Sequence, residues 1–391
     1  MSVFEQLQPF VSLCQACGFV PYTIKRNSTS GKFERFTFSF KNVITWWFLL
    51  VLAYQIFGVS TVGFLSGDLQ DMLSTDRIIP TTLIILTGIS SSLFLAQLLP
   101  SRWIALHHRR LTNAVEAIQR VERLLGEEFI TEHASSIPIR FVVGFAAVLM
   151  TSIGVLVVTM PMYAMLLPPA FGIFSTIVLF VASASINITF DCFLLFIHMC
   201  YYIITHYIQL VLLRFNEQEN DEFLATSHKD YNSIDGFFRT NKIELMKRNA
   251  LTFDYLCRAS SELNSVFSIP VFYILAIKFV TVVTTAFGYA YRFIHTNDIL
   301  DNAFLIYPFL IVTESIRILV LFTSTDMPVN QVRLLHERVS ALSLSGFSKT
   351  MAEKITMMTL LTQIDEDRIH LSAAGLFKVG VHLIPAVSLL F

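Results

Sequence analysis

The sequence predicts an all-α polytopic membrane protein, and three observations carry that prediction. Apolar residues make up 54% of the 391-residue chain and charged residues only 15%, whereas a soluble domain carries about 25% charged residues. Too few charges remain to cover a water-facing surface of this size. Stretches of about 20 mostly apolar residues, the length that crosses a bilayer as a helix, recur along the chain. Between them, Lys and Arg fall almost wholly on alternate connections, the bias that sets orientation in a membrane. Net charge is near zero, so nothing calls for a nucleic-acid partner.

Taken in order, residues 1–42 are a polar and basic arm that leaves no room for a signal peptide, and residues 43–391 hold seven candidate spans. The spans are 43–65, 78–98, 139–166, 171–195 running on to 213, 266–289, 304–322 and 371–391. Of the 28 Lys and Arg, 23 lie on the arm and on the second, fourth and sixth connections. The other side carries only Arg77 and Arg292. That bias predicts a cytosolic N-terminus. It is the reverse of a G-protein-coupled receptor, and the Asp/Glu-Arg-Tyr and Asn-Pro-x-x-Tyr motifs of that class are absent.

The fourth span is too long for one crossing. From Ala170 to Arg214 few helix breakers occur, and a continuous helix there would extend about 65 Å against a bilayer core of about 30 Å. The lower half, HMCYYIITHYIQLVLLRF, must leave the membrane while staying apolar, so it needs a packing partner. The helical segments LTNAVEAIQRVERLLGEEF and VNQVRLLHERVSALSLSGF are the expected partners beneath the membrane. A break near Phe196 is the competing reading.

Intramembrane charges are expensive and face a partner or a cavity. Glu314 and Arg317 lie three apart and share a helix face, and Lys278 on the fifth span reaches a similar depth. The three are expected to form a buried charge cluster, either at the base of a ligand cavity or as a tie between two helices. Asp191 and Lys378 both fall in the inner half and form a candidate ion pair at the inner mouth. Tyr163, Asn187, Phe287, Tyr289 and Tyr307 are outer-half candidates for ligand contact, because small-molecule sites combine aromatic faces with a few polar groups.

No enzymatic chemistry is legible. The five cysteines, Cys14, Cys17, Cys192, Cys200 and Cys257, include one lone C-x-x-C without a second pair, so no zinc site is expected. No clustered His pattern, phosphate loop or nucleophile elbow occurs, and no cofactor is implied. The Asn27 and Asn187 sequons are expected on the cytosolic arm and inside a span, where neither is modified.

The ending IHLSAAGLFKVGVHLI, after a long charged loop, resembles the last-span signature of insect gustatory receptors, with Ala374, Gly375, Leu376 and Phe377 as its centre. FVSLCQACGFVPY is similar to that family's Leu-x-x-x-Gly-x-x-Pro opening, and ELNSVFSIPVFYILAIKFV looks like its fifth span. The resemblance implies a tastant-gated, non-selective cation channel of four like or mixed subunits in a sensory-neuron membrane. It also implies a common cytosolic anchor and a last helix, 371–391, that lines the pore. Aligned on Ala374–Phe377, the chain stops a few residues short of the family's Thr-Tyr and Gln-Phe, so the pore helix is expected to be truncated. An odorant-receptor subunit and a secondary transporter are the alternatives; the Ala-Gly-Leu-Phe ending favours the gustatory branch, and no repeated halves support a transporter.

Overall fold

The computed structural model describes residues 8–26, 33–73, 98, 102–133, 139–166, 172–227, 235–295, 302–344 and 350–385, with somewhat fewer side chains. The second expected span, 78–98, and the Asn27 sequon lie outside them, apart from a buried Leu98.

The described chain is dominated by helices: α1 (Gln8–Ala16), α2 (Val43–Leu73), α3 (His108–Leu125), α4 (Glu127–Glu132), α5 (Ile139–Leu166), α6 (Gly172–Ser227), α7 (Asp235–His295), α8 (Asn302–Leu344) and α9 (Met351–Gln363). Two antiparallel hairpins join them, β1 (Thr23–Arg26) with β2 (Phe33–Thr37), and β3 (Ser372–Ala373) with β4 (Phe377–Lys378).

The fourth span is one long helix as expected: α6 runs for 56 residues, and the competing break near Phe196 is absent. Every residue from 189 to 208 is buried. A helix apolar on all faces has to sit at the centre of its bundle, and α6 packs against α2, α5, α7 and α8. At 1.5 Å per residue α6 is about 84 Å long, α7 about 92 Å and α8 about 65 Å. All three exceed a bilayer core of about 30 Å, so their ends continue outside it. Among the described residues three stretches, Phe180–Glu217, Ile243–Val283 and Pro308–Leu344, are long and apolar enough to cross a membrane. Shorter apolar helices run at Val43–Gly58 and Val142–Val157.

The two helices expected beneath the membrane are both formed. α3 is amphipathic and buries Leu111, Ala114, Ile118, Val121 and Leu125, packing chiefly on α7. The second is the far end of α8, with Val332, Leu335, Val339 and Leu342 in the same apolar core. α9 then closes the layer against α7 and α8. It starts at a capping box in which Thr350 Oγ1 accepts from Glu353 N and Thr350 N donates to the Glu353 carboxylate, satisfying two orphan donors of the first turn.

One expectation fails here. Residues 371–380 are not helical, and only a short 3-10 turn at Val381–Leu383 follows them, leading into helical backbone at Ile384 and Pro385. Ser372 and Ala373 pair with Lys378 and Phe377, and the turn between them places Ala374 at φ 52° and Gly375 at φ 73°. The Ala-Gly-Leu-Phe signature is therefore a hairpin turn and strand. Left-handed backbone at two successive positions rules out an α-helix there. The apolar composition hid this, although glycine tolerates that conformation freely. The hairpin is strapped to the bundle by hydrogen bonds from Ser372 N to Asn264 Oδ1 (3.0 Å), Ala374 N to Ser268 O (3.1 Å) and Ser260 Oγ to Ile369 O (3.0 Å). On the α8 side, Thr325 Oγ1 donates to Val379 O (3.2 Å) and Val381 N donates to Asp326 Oδ2 (2.6 Å).

Candidate functional site

The site is a chain of four charged side chains on three helices. Lys278 on α7 lies 2.7 Å from Glu314 Oε2 on α8. The other oxygen of that carboxylate, Oε1, accepts from Arg317 Nη1 at 2.9 Å, one turn along α8. Arg317 Nη2 then reaches α6 and meets Asp191 Oδ2 at 2.7 Å. Ser152 on α5 adds a hydroxyl donor to the same Asp191 oxygen. Lys278 and Arg317 are each only 1% exposed, so neither reaches solvent by extending its side chain.

Two cations and two carboxylates make the network neutral as a whole. That neutrality permits burial, because an uncompensated charge in a low-dielectric interior costs several kcal/mol. Phe190 gives a further face: Lys278 Nζ stands 4.3 Å and Arg317 Cζ 5.9 Å from its ring centroid, within the range of cation–π attraction. The alternation of α5, α6, α7 and α8 around Phe190 and Asp191 is what brings the charges together.

The network is not fully satisfied. Asp191 Oδ1 and Arg317 Nε are buried with no hydrogen-bond partner. Both unmet atoms, one acceptor and one donor, belong to the Asp191–Arg317 ion pair. Such atoms ordinarily hold water or a polar guest.

Lys278, Glu314 and Arg317 thus meet as the sequence predicts. The Asp191–Lys378 pair does not form. Asp191 is taken by Arg317, and Lys378 sits half-exposed on β4 paired with Asp367. The sequence offered Asp191 two cations at similar depth, and the hairpin, illegible in advance, carries Lys378 away. Asn187 lies one turn from Asp191 on α6 but donates to Ser183 O of its own helix at 3.0 Å. Tyr163 is on α5, Phe287 and Tyr289 on α7 and Tyr307 on α8; their side chains lie outside the described set.

Sequence reasoning missed a second polar node. Arg102 donates to Gln55 Oε1 on α2 and to Gly18 O, with its guanidinium 4.5 Å from the Phe48 ring centroid. Gln55 Nε2 passes the connection to Ser185 (2.8 Å) and Thr189 (2.9 Å) on α6. Burial draws the Arg102 proton affinity down to about 10, which still leaves it charged at neutral pH. The one signal was an unpaired glutamine inside an apolar stretch.

A family model described as "7tm Chemosensory receptor" matches residues 7–387. The chain belongs to the 7tm chemosensory receptor family. The expectation drawn from the ending and the layout is therefore borne out at the level of the family. The structure of the insect olfactory receptor OR5 from Machilis hrabei is similar, with a TM-score of 0.64 at 10% identity, covering 99% of this chain and 96% of that one. At that identity the likeness is one of fold. No curated protein gives a significant match to the sequence. Family and long apolar helices together make this chemosensory receptor a multi-pass membrane protein.

Proposed function

We propose that this receptor is a subunit of the gustatory type, a small-molecule-gated, non-selective cation channel. In this reading it crosses the membrane seven times with its N-terminus in the cytosol, as the distribution of 23 of 28 Lys and Arg supports. The charge network marks the base of the ligand cavity. The observation that carries this assignment is the open hydrogen-bonding capacity at Asp191 Oδ1 and Arg317 Nε, buried inside the helix bundle. A ligand hydroxyl donating to Asp191 and accepting from Arg317 would bias the packing of α6 against α8, and a differential contact of that kind is what shifts a conformational equilibrium.

Assembly from several like or mixed subunits is supported by α9. Met351, Ile355 and Met358 recur at helical spacing and are exposed on the single chain. An apolar stripe of that sort calls for a partner surface, which further subunits would supply.

The test is current recording from cells expressing the receptor, alone and with partner subunits, against panels of soluble tastants and volatile odorants. Ligand-gated inward currents to tastants are expected, with Glu314→Gln plus Arg317→Gln changing the response or the surface expression. Responses confined to volatile compounds would assign the odorant branch instead, and solute flux without a conductance would assign a transporter. If the double replacement altered neither response nor expression, the network would have no part in either.

A further inference from the structure

Arg102 is a cation without a counter-ion. Its two terminal nitrogens donate to neutral oxygens, Gly18 O and Gln55 Oε1, and its Nε is buried with no hydrogen-bond partner. Among the described residues no carboxylate pairs with it. The network around Asp191 differs, because each of its cations faces a carboxylate, and a sequestered charge left alone is costly. Phe48 covers one side of the guanidinium, with its ring centroid 4.5 Å from Cζ. Arg102 as a residue is only partly buried, so an opening to the surface remains. The next residue, Trp103, carries another buried donor without a partner, its indole Nε1, while its ring stacks on His107 at 4.8 Å.

The surroundings decide what kind of anion fits. Residues 18–23 tie Arg102 to the start of α2 and to the start of α3. Tyr22 donates to Ile104 O, and its ring centroid lies 6.1 Å from that of His108. Thr45 Oγ1 donates to Pro21 O at 3.2 Å, and Asn42 Nδ2 to Thr23 Oγ1 at 2.9 Å. Basic residues collect on this patch. Lys41 precedes α2, and α3 opens on His107-His108-Arg109-Arg110 with no acidic residue in its first turn and no side-chain cap. Lys41 and Arg109 are exposed, and neither has an ion-pair partner among the described residues. Cations at the positive end of a helix are unfavourable unless an anion lies close by. The start of α2 adds an apolar surface, with Phe40, Val43, Trp46, Trp47 and Leu50 exposed. Both indole N–H groups are already used, Trp46 by Phe40 O and Trp47 by Ala16 O, each at 2.8 Å. Their rings therefore offer hydrocarbon, as tryptophans do at the boundary between acyl chains and headgroups.

We propose that Arg102 seats the phosphate of an anionic phospholipid of the cytosolic leaflet, whose chains run along the exposed start of α2. The open N–H of the guanidinium donates to a phosphate oxygen, a charge-assisted bond that suits arginine. Lys41 and Arg109 draw in the headgroup charge, as basic clusters next to a membrane span do. A free inorganic anion would use the cations alone and leave the apolar surface beside them uncovered. Gln55 carries the effect inward, since it accepts from Arg102 and donates to Ser185 (2.8 Å) and Thr189 (2.9 Å) on α6. A seated lipid thus clamps the turn at Gly18 to α2 and α6. The choice of leaflet rests on the cytosolic N-terminus proposed above; the seat itself does not.

The experiment uses the full chain in phosphatidylcholine nanodiscs doped with a photoactivatable phosphatidylserine, crosslinked and mapped by mass spectrometry. The expected result is labelling within residues 40–50 and 102–110, with a photoactivatable phosphatidylcholine labelling them about fivefold less, and no displacement by excess inorganic phosphate. Arg102→Gln should weaken the labelling about fivefold, the effect of one cation at an anionic surface. Arg123→Gln, an exposed cation at the far end of α3, should leave it unchanged. Equal labelling by the two lipids, or full labelling of Arg102→Gln, would overturn the proposal. Displacement by inorganic phosphate would also overturn it, making the seat one for a free anion only. Selectivity is read on the native chain first, so poor folding of a variant does not remove the test. An N-terminal tag that antibody reaches on intact cells would overturn the leaflet, a result separate from the labelling and from any current.

Discussion

Arg317 on α8 reaches Asp191 on α6 at 2.7 Å while its other terminal nitrogen holds Glu314 on its own helix at 2.9 Å. One guanidinium thereby serves two buried carboxylates, and the two helices cannot separate without exposing a charge. The fork geometry of arginine suits this double role, which a point-charge lysine cannot fill.

Removing the guanidinium should cost more than removing either carboxylate. Arg317→Gln strands Asp191 and leaves Glu314 with Lys278 alone, and breaking a buried pair on one side costs about 3–5 kcal/mol. Asp191→Asn, which leaves Arg317 with Glu314, should cost less. The double variant should be less damaging than the sum of the singles, because neighbouring sites in one network do not add. Thermal unfolding of the detergent-solubilised receptor, followed across this cycle, measures both statements; strict additivity would refute the coupling.

The contact between α2 and α6 depends on a missing side chain. A Cβ on Gly58 would lie 2.2 Å from the Cβ of Ala182, and neither atom is the end of a flexible chain. Gly58→Ala should therefore destabilise the receptor by about 1–3 kcal/mol through overpacking. Adding Ala182→Gly should restore most of that loss. The same unfolding assay reads the pair, and an unaffected single variant would show that α2 can shift freely.

The C-terminal strap hangs on Asp326. Its Oδ2 accepts from Val381 N at 2.6 Å, a bond to a charged acceptor and so worth about 1.5–3 kcal/mol. In Asp326→Ala, amide exchange over residues 377–385 should rise by an order of magnitude or more, while exchange in α6 stays unchanged. Equal exchange in both forms would mean that Thr325 and the β3–β4 pairing suffice.

Acid should loosen the same strap. Burial, and then the nearby Lys378, hold the proton affinity of His370 below that of a free imidazole, against the opposing pull of Glu366, Asp326 and Asp367. Its Nδ1 is buried without a partner. The unfolded chain thus binds this proton more tightly than the folded one, so stability rises with pH and is lost as pH falls through and below the ordinary imidazole range. His370→Gln should flatten that part of the stability profile between about pH 7 and pH 5, around the free imidazole value. A profile identical to the parent would place the acid sensitivity elsewhere.

Particular residues show how far the sequence could be read. Charge scarcity and long apolar stretches were enough to place α2, α5, α6, α7 and α8, and α5 begins and ends where the apolar run does. The spacing of Glu314 and Arg317 put both on one face of α8, and helical rise put Lys278 at their depth. Each of these inferences rests on local periodicity, which the backbone geometry enforces whatever the rest of the chain does. The hairpin at Ser372–Lys378 was illegible for the same reason: its residues are as apolar as a span, and only backbone at positive φ and anchors on distant helices make them a turn.

The sequence by itself determined the class, the long apolar helices and the candidate charges, because hydrophobic length and charge cost act on each segment alone. Only the tertiary structure decided that Asp191 answers Arg317 and not Lys378, and that α6 stays whole through Phe196. Those choices turn on which helix faces meet, and residues far apart in the chain set that together through packing that no single segment encodes.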